Sequence, residues 1–446
     1  MKDQENEQGS IREIEINERL TMTRRGLLRG GMVGAMSLVA SSNIWLPAPA
    51  EAKWKPADPK NLRRWNGVSP AHIKVAENYS SPLVIGPRMC DELVELIQHL
   101  YSETEAEVVQ YLTPWSSKTP AKIAKQTGRP VSEVQAILDG IMDFQNSLLT
   151  FKSDTGSTRY NIFWFLPGTF DAVLIKPDES YFTDWHREFC RRWEKLYNTG
   201  ALFEYFIDKP IDLIRFIPTY PSIESNPSAL PSDKLPMVFE RYDMFAMTLC
   251  QCRTVAKFEG FYCGRPHFTC LSMGNSAKAA IAKGTTHKKV ELQEALDIKM
   301  EAEEAGLSTW VFNWENEGMK SNISCSCCGC CCVALRTLTQ FDKPGLVARP
   351  HFMPSIDQEK CTLCGKCVET CNTKAHKVTE TTHTHDPLRC IGCGLCTRAC
   401  PAGALTMEEV QNYKTPPKTP AEYALTKGPN IISSIMAERK RRKKQA

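Results

Sequence analysis

The sequence predicts an α+β chain of several domains, and three observations carry that reading. At 446 residues the chain is long enough for two or three domains and a sizeable core. From Arg88 onward, segments of helical periodicity give way to a β-hairpin pattern and then to a second helical stretch. Near the C-terminus the cysteines fall into two matched runs, Cys361, Cys364, Cys367, Cys371 and Cys390, Cys393, Cys396, Cys400, each spaced C-x-x-C-x-x-C-x-x-x-C. The expected order is a leader over 1–52, an arm over 53–88, a first domain over 89–180, a mostly helical cysteine-rich domain over 181–345, the paired-run domain over 346–410 and a basic tail over 411–446.

The leader comes first. Thr23-Arg24-Arg25-Gly26-Leu27-Leu28-Arg29 precedes an uncharged stretch from Gly30 to Ala50, and Ala50-Glu51-Ala52 offers a small-x-small cleavage site. These residues resemble a twin-arginine (Tat) signal peptide. The stretch is rich in Gly, Ser and Ala and only moderately apolar, which disfavours a membrane span. The resemblance implies the Tat export machinery as a partner and a location in the periplasm or on the outer face of the cytoplasmic membrane. That route moves folded proteins, so metal clusters assembled inside the cell would travel in place. Residues 53–88, with five prolines and few apolar runs, read as a linker or wrapping arm.

In the first domain, Leu93, Leu96, Ile97 and Leu100 keep helical spacing. Two short helices follow, with Thr119 and Ser132 as expected N-caps and Gly128-Arg129-Pro130 between them. A hairpin pattern comes next, Leu148 to Phe151 and Tyr160 to Phe165 flanking Ser153 to Ser157. The order resembles a winged helix over about 89–166. That fold implies DNA binding, but an exported chain meets no chromosome, so nucleic acid is disfavoured as a partner and a docking module is expected.

In the middle domain Phe182, Trp185, Phe189 and Trp193 form one apolar helix face, read as core packing. Glu291 to Ala305 reads as a helix with Leu292, Leu296 and Met300 on one stripe and Gly306 at its end. Cys250, Cys252, Cys263 and Cys270 form one loose set, and Cys325, Cys327, Cys328, Cys330, Cys331 and Cys332 crowd into eight residues. Ordinary cores scatter cysteine and do not line it up. Adjacent cysteines are also badly placed to bridge one another. The expectation is one or two additional iron–sulfur clusters, with the first four as one ligand set and the later six as another or as a shared pool; zinc is the alternative metal. Arg253 and Arg265 stand beside these thiols, where they would offset cluster charge. A loop folded back between the sets would bring Cys270 and Cys325 to one site. Cys90 and Cys190 stand alone and read as structural, and His383 and His385 alternate as on a strand.

The paired runs match the ligand spacing of two [4Fe-4S] clusters, whereas a tetrahedral zinc ribbon would use C-x-x-C pairs, and the third and fourth cysteines of each run overshoot its four ligands. Ala375 and Ala404 each sit four residues after the last cysteine of their run, so the repeat is internal. Residues 356–406 resemble the bacterial-type dicluster ferredoxins, departing from the family at Asn372, where proline is usual. The resemblance implies crossed ligation: Cys361, Cys364, Cys367 and Cys400 on one cluster, and Cys390, Cys393, Cys396 and Cys371 on the other. The whole arrangement over about 89–406 resembles dicluster ferredoxin-type proteins, which implies electron transfer with a redox partner protein. Eight of the 20 cysteines are thereby assigned, and the disulfide reading usual for an exported chain is set aside.

A net charge of +4 with 24% charged residues is an ordinary balance. Its exception is Arg439 to Lys444, six consecutive basic residues that read as a solvated tail or as a contact for an anionic membrane surface or an acidic partner. Three functions compete on these residues. The chain is an exported electron carrier, an exported iron–sulfur oxidoreductase with its reactive centre in the upstream cysteines, or an iron–sulfur redox-sensing DNA-binding regulator.

Overall fold

The structure, a computed structural model, describes residues 65–80, 86–152, 156–202, 211–314, 320–343 and 345–445. The expected leader and most of the arm lie outside the described residues. The arm's end is not bare linker: α1 (Pro70–Tyr79) is a helix whose Val75, Ala76 and Tyr79 are buried in the main core. Pro at its first turn and the Ser69 hydroxyl, which accepts from Ala71 N, start it.

Helices α2 (Asp91–Leu100), α3 (Glu103–Val109), α4 (Pro120–Thr127) and α5 (Val131–Asp143) follow, then strands β1 (Leu148–Lys152) and β2 (Thr158–Ile162) pair antiparallel. Leu93, Leu96, Ile97 and Leu100 are all buried, as their spacing predicts. Thr119 caps α4, accepting from Lys122 N, and Gly128 ends it in the left-handed conformation. Ser132 is not an N-cap. Helix α5 begins two residues earlier than that cap would allow, at Val131, and Pro130 occupies the cap position with its φ already suited to a helix start. After α6 (Phe170–Leu174), α7 (Asp184–Asn198) buries Phe189 and Trp193, with Trp193 stacked on Phe170 at 4.0 Å between ring centroids. The aromatic stripe is core, as expected.

The middle region departs from the mostly helical domain expected there. Its scaffold is a six-stranded antiparallel sheet in the order β3-β7-β8-β5-β4-β6. The strands are β3 (Ile214–Phe216), β4 (Phe245–Leu249), β5 (Phe268–Gly274), β6 (Lys288–Val290), β7 (Ser308–Phe312) and β8 (Ser321–Cys327), and helices α8 (Tyr220–Ile223), α9 (Leu235–Phe239), α10 (Gln251–Phe258), α11 (Asn275–Lys283), α12 (Leu292–Glu304) and α13 (Val333–Thr339) surround it. Strand β4 is buried at all five positions and β5 at six of seven. Strands covered on both faces show no polar–apolar alternation, so their period of two is silent in the sequence. Helix α12 lies where expected, but its buried face carries Ala295, Lys299 and Ala302, while Met300 is 51% exposed.

The C-terminal part holds β9 (Phe352–Ile356), α14 (Lys366–Thr370), β10 (His376–Val378), β11 (His383–His385), α15 (Leu395–Ala399) and β12 (Leu405–Glu409). Strand β9 pairs with β12 and β10 with β11, both antiparallel, while α14 packs on α15. Residues 420–445 form a helix, α16 (Pro420–Gln445), where a solvated tail was expected. Tyr423 anchors it from within the core, donating to Ile211 O at 2.5 Å. Among the described residues no helix is long and apolar enough to cross a membrane. One hydrophobic core runs from α1 through the sheet to Tyr423, and Cys327, Cys332 and Ile391 belong to it.

Candidate metal centres

The paired runs fold as two equivalent loops. In each, a glycine in the left-handed conformation, Gly365 or Gly394, starts a short helix, α14 or α15, that carries the third cysteine. The last cysteine follows the helix, and its sulfur accepts the same hydrogen bond in both halves: Ala375 N to Cys371 Sγ at 3.2 Å and Ala404 N to Cys400 Sγ at 3.3 Å. The internal repeat seen in the sequence is thus a repeat of N–H···S donors, which favour a charged sulfur. Cys361, Cys364, Cys367 and Cys400 line one cavity together. Cys371 belongs to the other half-site, where its charge acts on Cys390, Cys393 and Cys396. Burial pushes the Cys390 thiol up to about 12 and Cys393 to about 11. A buried thiol ionises only when a cation compensates it, which is what iron ligation supplies.

His383, read from the sequence only as a strand residue, lies at this site. Its Nδ1 lies 3.4 Å from Cys361 Sγ and its Nε2 3.4 Å from Cys367 Sγ, with His376 Nδ1 3.0 Å from the same Nε2. The alternation of His383 and His385 does mark a strand, but His383 faces the cysteine cavity. β11 pairs with β10, and only the folded chain places it beside the cysteine loop, which one sequence cannot supply.

The upstream cysteines divide differently from the expected sets. Cys263 does not join Cys250, Cys252 and Cys270. Helix α10 begins between Cys250 and Cys252, and by its far end the chain has moved away, so Cys263 meets Cys328, Cys330 and Cys331, all four sulfurs lying within 4.8 Å of one another. Hydrogen bonds from Cys263, Cys330 and Cys331 hold the Cys328 thiol far below its ordinary range. Cys263 is lowered as well, while Cys330 and Cys331 are raised by the same contacts, so the four thiols share their protons unequally.

Cys250, Cys252, Cys270, Cys325, Cys327 and Cys332 line a second cavity of about 250 Å³. They form a ring of interacting thiols. Cys270 interacts with Cys325 and Cys250, Cys250 with Cys252, Cys252 with Cys332, and Cys332 with Cys327. Pairing of β5 with β8 sets Leu271 opposite Ser324, and so brings Cys270 and Cys325 together as the folded-back loop predicts. Cys325 and Cys327, two apart on β8, share a face. Trp310 Nε1 donates to Cys327 Sγ at 3.2 Å and Val333 N to Cys252 Sγ at 3.4 Å. The rest of the cavity wall is largely apolar, from Phe163, Trp164, Leu166, Phe170, Phe312 and Ile323.

Two buried cations attend these thiols. Arg253 is 1% exposed; its Nη1 and Nη2 each donate to Ser326 O at 3.0 Å, and Nη2 also reaches Thr269 Oγ1. Burial alone would push this guanidinium down, but Cys250, Cys270, Cys328 and Cys327 more than offset it and hold it above its usual value. Its Nε has no hydrogen-bond partner among the described residues, a donor left for a sulfur. Lys299, fully buried on α12, donates to Thr269 O at 2.9 Å and Ser324 O at 3.1 Å. Buried cations are costly without anions, so this pair marks a site built to carry negative charge. Cys90 and Cys190 are buried in the core apart from all these groups.

Asn372 joins the two regions. Its Nδ2 donates to Gly306 O and Ser308 Oγ, both at 2.9 Å, and its Oδ1 accepts from Arg265 Nη1 at 3.0 Å. The Arg265 guanidinium therefore serves the joint between the regions, while its backbone N–H bonds the Cys263 thiol. A Cβ on Gly329 would lie 1.8 Å from Asn372 O, so only glycine lets the Cys328–Cys331 turn sit this close to the first cysteine run. Proline at 372, usual in the ferredoxins this domain resembles, could make none of the three side-chain bonds.

Comparison with known proteins agrees with this geometry in the C-terminal part. Residues 354–407 match one family model of a 4Fe-4S dicluster domain, and residues 389–430 match a second. No curated protein and no solved structure matches the chain. Residues 354–407 are thus a 4Fe-4S dicluster domain with two [4Fe-4S] clusters as cofactors, and iron–sulfur electron transfer is its chemistry. The upstream thiol groups are further candidate metal sites.

Proposed function

We propose that the protein is an exported electron carrier whose ferredoxin domain exchanges electrons between a partner protein and a cluster held by the upstream cysteine ring. When bound, iron–sulfur clusters supply one-electron transfer. Cys361, Cys364, Cys367 and Cys400 would hold the outer ferredoxin cluster, and Cys371, Cys390, Cys393 and Cys396 the inner one. The observation that carries the reading is the joint between the two regions. Cys393 packs against the same core as Cys327 and Cys332 of the ring, and its carbonyl accepts from Thr219 N at 2.9 Å. A ferredoxin domain fixed this firmly is built to serve its own chain. The ring residues Cys250, Cys252, Cys270, Cys325, Cys327 and Cys332, with Arg253 and Lys299 beside them, would hold the third cluster.

Helices α2 to α5 with the β1–β2 hairpin, which resemble a winged helix, serve in this reading as a docking module. Arg439 to Lys444 supply an anionic membrane surface or an acidic partner with a contact. The iron–sulfur oxidoreductase is the second reading, favoured by one observation: the ring opens on an apolar cavity that also presents Asp171, whose carboxyl is pushed up to about 7 by burial. A neutral carboxyl beside a redox centre is a proton donor.

Two measurements test the proposal. Replacing Arg24 and Arg25 by lysine strands the protein in the cytoplasm if the leader is a twin-arginine signal; unchanged periplasmic recovery overturns the location. In anaerobically purified protein, sulfide beyond the eight of two [4Fe-4S] clusters, lost when Cys250 and Cys252 become alanine, supports the ring cluster. Sulfide of about eight in both proteins removes it. Turnover of a substrate with reduced dye, abolished by Asp171→Asn, would make the chain an enzyme.

A further inference from the structure

We infer that Cys263, Cys328, Cys330 and Cys331 hold one tetrahedral metal ion, zinc or iron, and not a [4Fe-4S] cluster. The inference stands apart from the electron-carrier reading, because it rests only on how far apart the sulfurs are.

Cys263 Sγ lies 3.7 Å from Cys328 Sγ, and Cys330 Sγ lies 3.7 Å from Cys331 Sγ. Four thiolates bound to one zinc ion at about 2.3 Å, at the corners of a tetrahedron, stand about 3.8 Å from one another. In a cubane each thiolate caps a different iron, so the four sulfurs lie outside the cube and stand farther apart. The molecule carries its own comparison. The described ferredoxin cysteines, in a domain whose family binds 4Fe-4S clusters, include no three thiols mutually within the 4.8 Å that encloses all four of this group. The six-cysteine ring includes none either. One set of thiols is drawn in to the span of a single ion, and the others are held open.

Local structure explains the tightness. Three of the four ligands come from one turn, Cys328-Gly329-Cys330-Cys331, which α13 follows and β8 precedes. Thr339 Oγ1 donates to Gly329 O at 2.7 Å, and Gly329 N donates to Asn372 Oδ1 at 3.3 Å, so the turn is pinned from two sides. Four protein sulfurs leave no open coordination position, the pattern of structural sites and of one-electron centres. Four thiolates on a divalent ion carry a net charge of about −2, and Arg253 lies close enough to Cys328 to offset part of it. Because Gly329 touches Asn372, the ion would fix the turn on which the ferredoxin domain rests. Zinc would act as a clamp there; iron would add a redox step.

The test uses the full chain, purified anaerobically, with metals measured by mass spectrometry alongside acid-labile sulfide. Cys330→Ser is the variant of choice, because Cys330 is the exposed member of the group. The expected result is loss of about one zinc or one iron per chain with sulfide and cluster absorbance unchanged. Loss of about four irons with four sulfides would overturn the inference, as would a folded variant that keeps all its metal. Should the variant fail to fold, X-ray absorption on the unaltered protein decides. A zinc edge reporting four sulfurs at about 2.3 Å, or a mononuclear ferric-thiolate signal by electron paramagnetic resonance after mild oxidation, supports the site, and the absence of both removes it.

Discussion

At the scale of single residues, His383 stands against ligand sulfur, where a side chain can tune a cluster's potential. Its ring nitrogens each lie 3.4 Å from a thiol of the outer ferredoxin site. An N–H that donates to ligand sulfur stabilises the reduced, more negative cluster and so raises its potential. His383→Leu should therefore lower the potential of that cluster by about 40 mV, the one-electron equivalent of one net hydrogen bond of about 1 kcal/mol. A redox titration followed by electron paramagnetic resonance checks this, and the inner cluster should not move. Equal potentials in the two proteins would deny His383 the role. The eight ferredoxin cysteines were legible because their ligand pattern is local, with three thiols inside one loop. The grouping of Cys263 with Cys328, Cys330 and Cys331 was not, because 65 residues separate the pair Cys263 and Cys328 and only the sheet brings them together.

At the scale of elements, α13 is held by a buried ion pair that the sequence gives no reason to expect. Arg336 on α13 donates from Nη1 to Glu194 Oε2 at 2.9 Å and from Nη2 to Glu194 Oε1 at 2.6 Å, crossing to α7, and its guanidinium lies 4.2 Å from the centre of the Tyr197 ring. Removing one partner of such a pair strands a charge in the core. Arg336→Met should destabilise the protein by about 3 kcal/mol or more, measured by denaturant unfolding of the loaded protein. Since α13 begins directly after Cys332, the same variant should weaken the ring site; unchanged stability would show that Glu194 finds water. Helices α2, α4, α7 and α12 were legible from periodicity and caps. The strands β4, β5 and β8 were not, because sheet strands buried on both faces lose their alternation. Lys299 shows the limit from the other side: a lysine on an amphipathic helix reads as solvent-facing, yet here it points into the core toward the thiols.

At the scale of the whole molecule, pH should act on stability through buried histidines. Burial pushes His186 and His287 down to about 4, below the value near 6.5 of an exposed histidine. The unfolded chain then takes up protons that the folded chain refuses. Stability from this source is intact above about pH 6.5 and declines as pH falls from there toward about 4. Thermal unfolding followed across that window should show the decline, and replacing His287 by glutamine should flatten it; a level profile would mean that these rings open to water before they titrate.

The burial of the cysteine ring also bears on how the molecule is made. Cys250, Cys270, Cys327 and Cys332 are each no more than 4% exposed, and the six ring positions are drawn from the end of β4, the start of α10, strands β5 and β8, and the residue before α13. A cavity walled by that many separate stretches closes only as the sheet closes. A cluster held there, as proposed above, would enter most readily while those walls are still apart, so that its assembly and the closing of the sheet would be coupled steps.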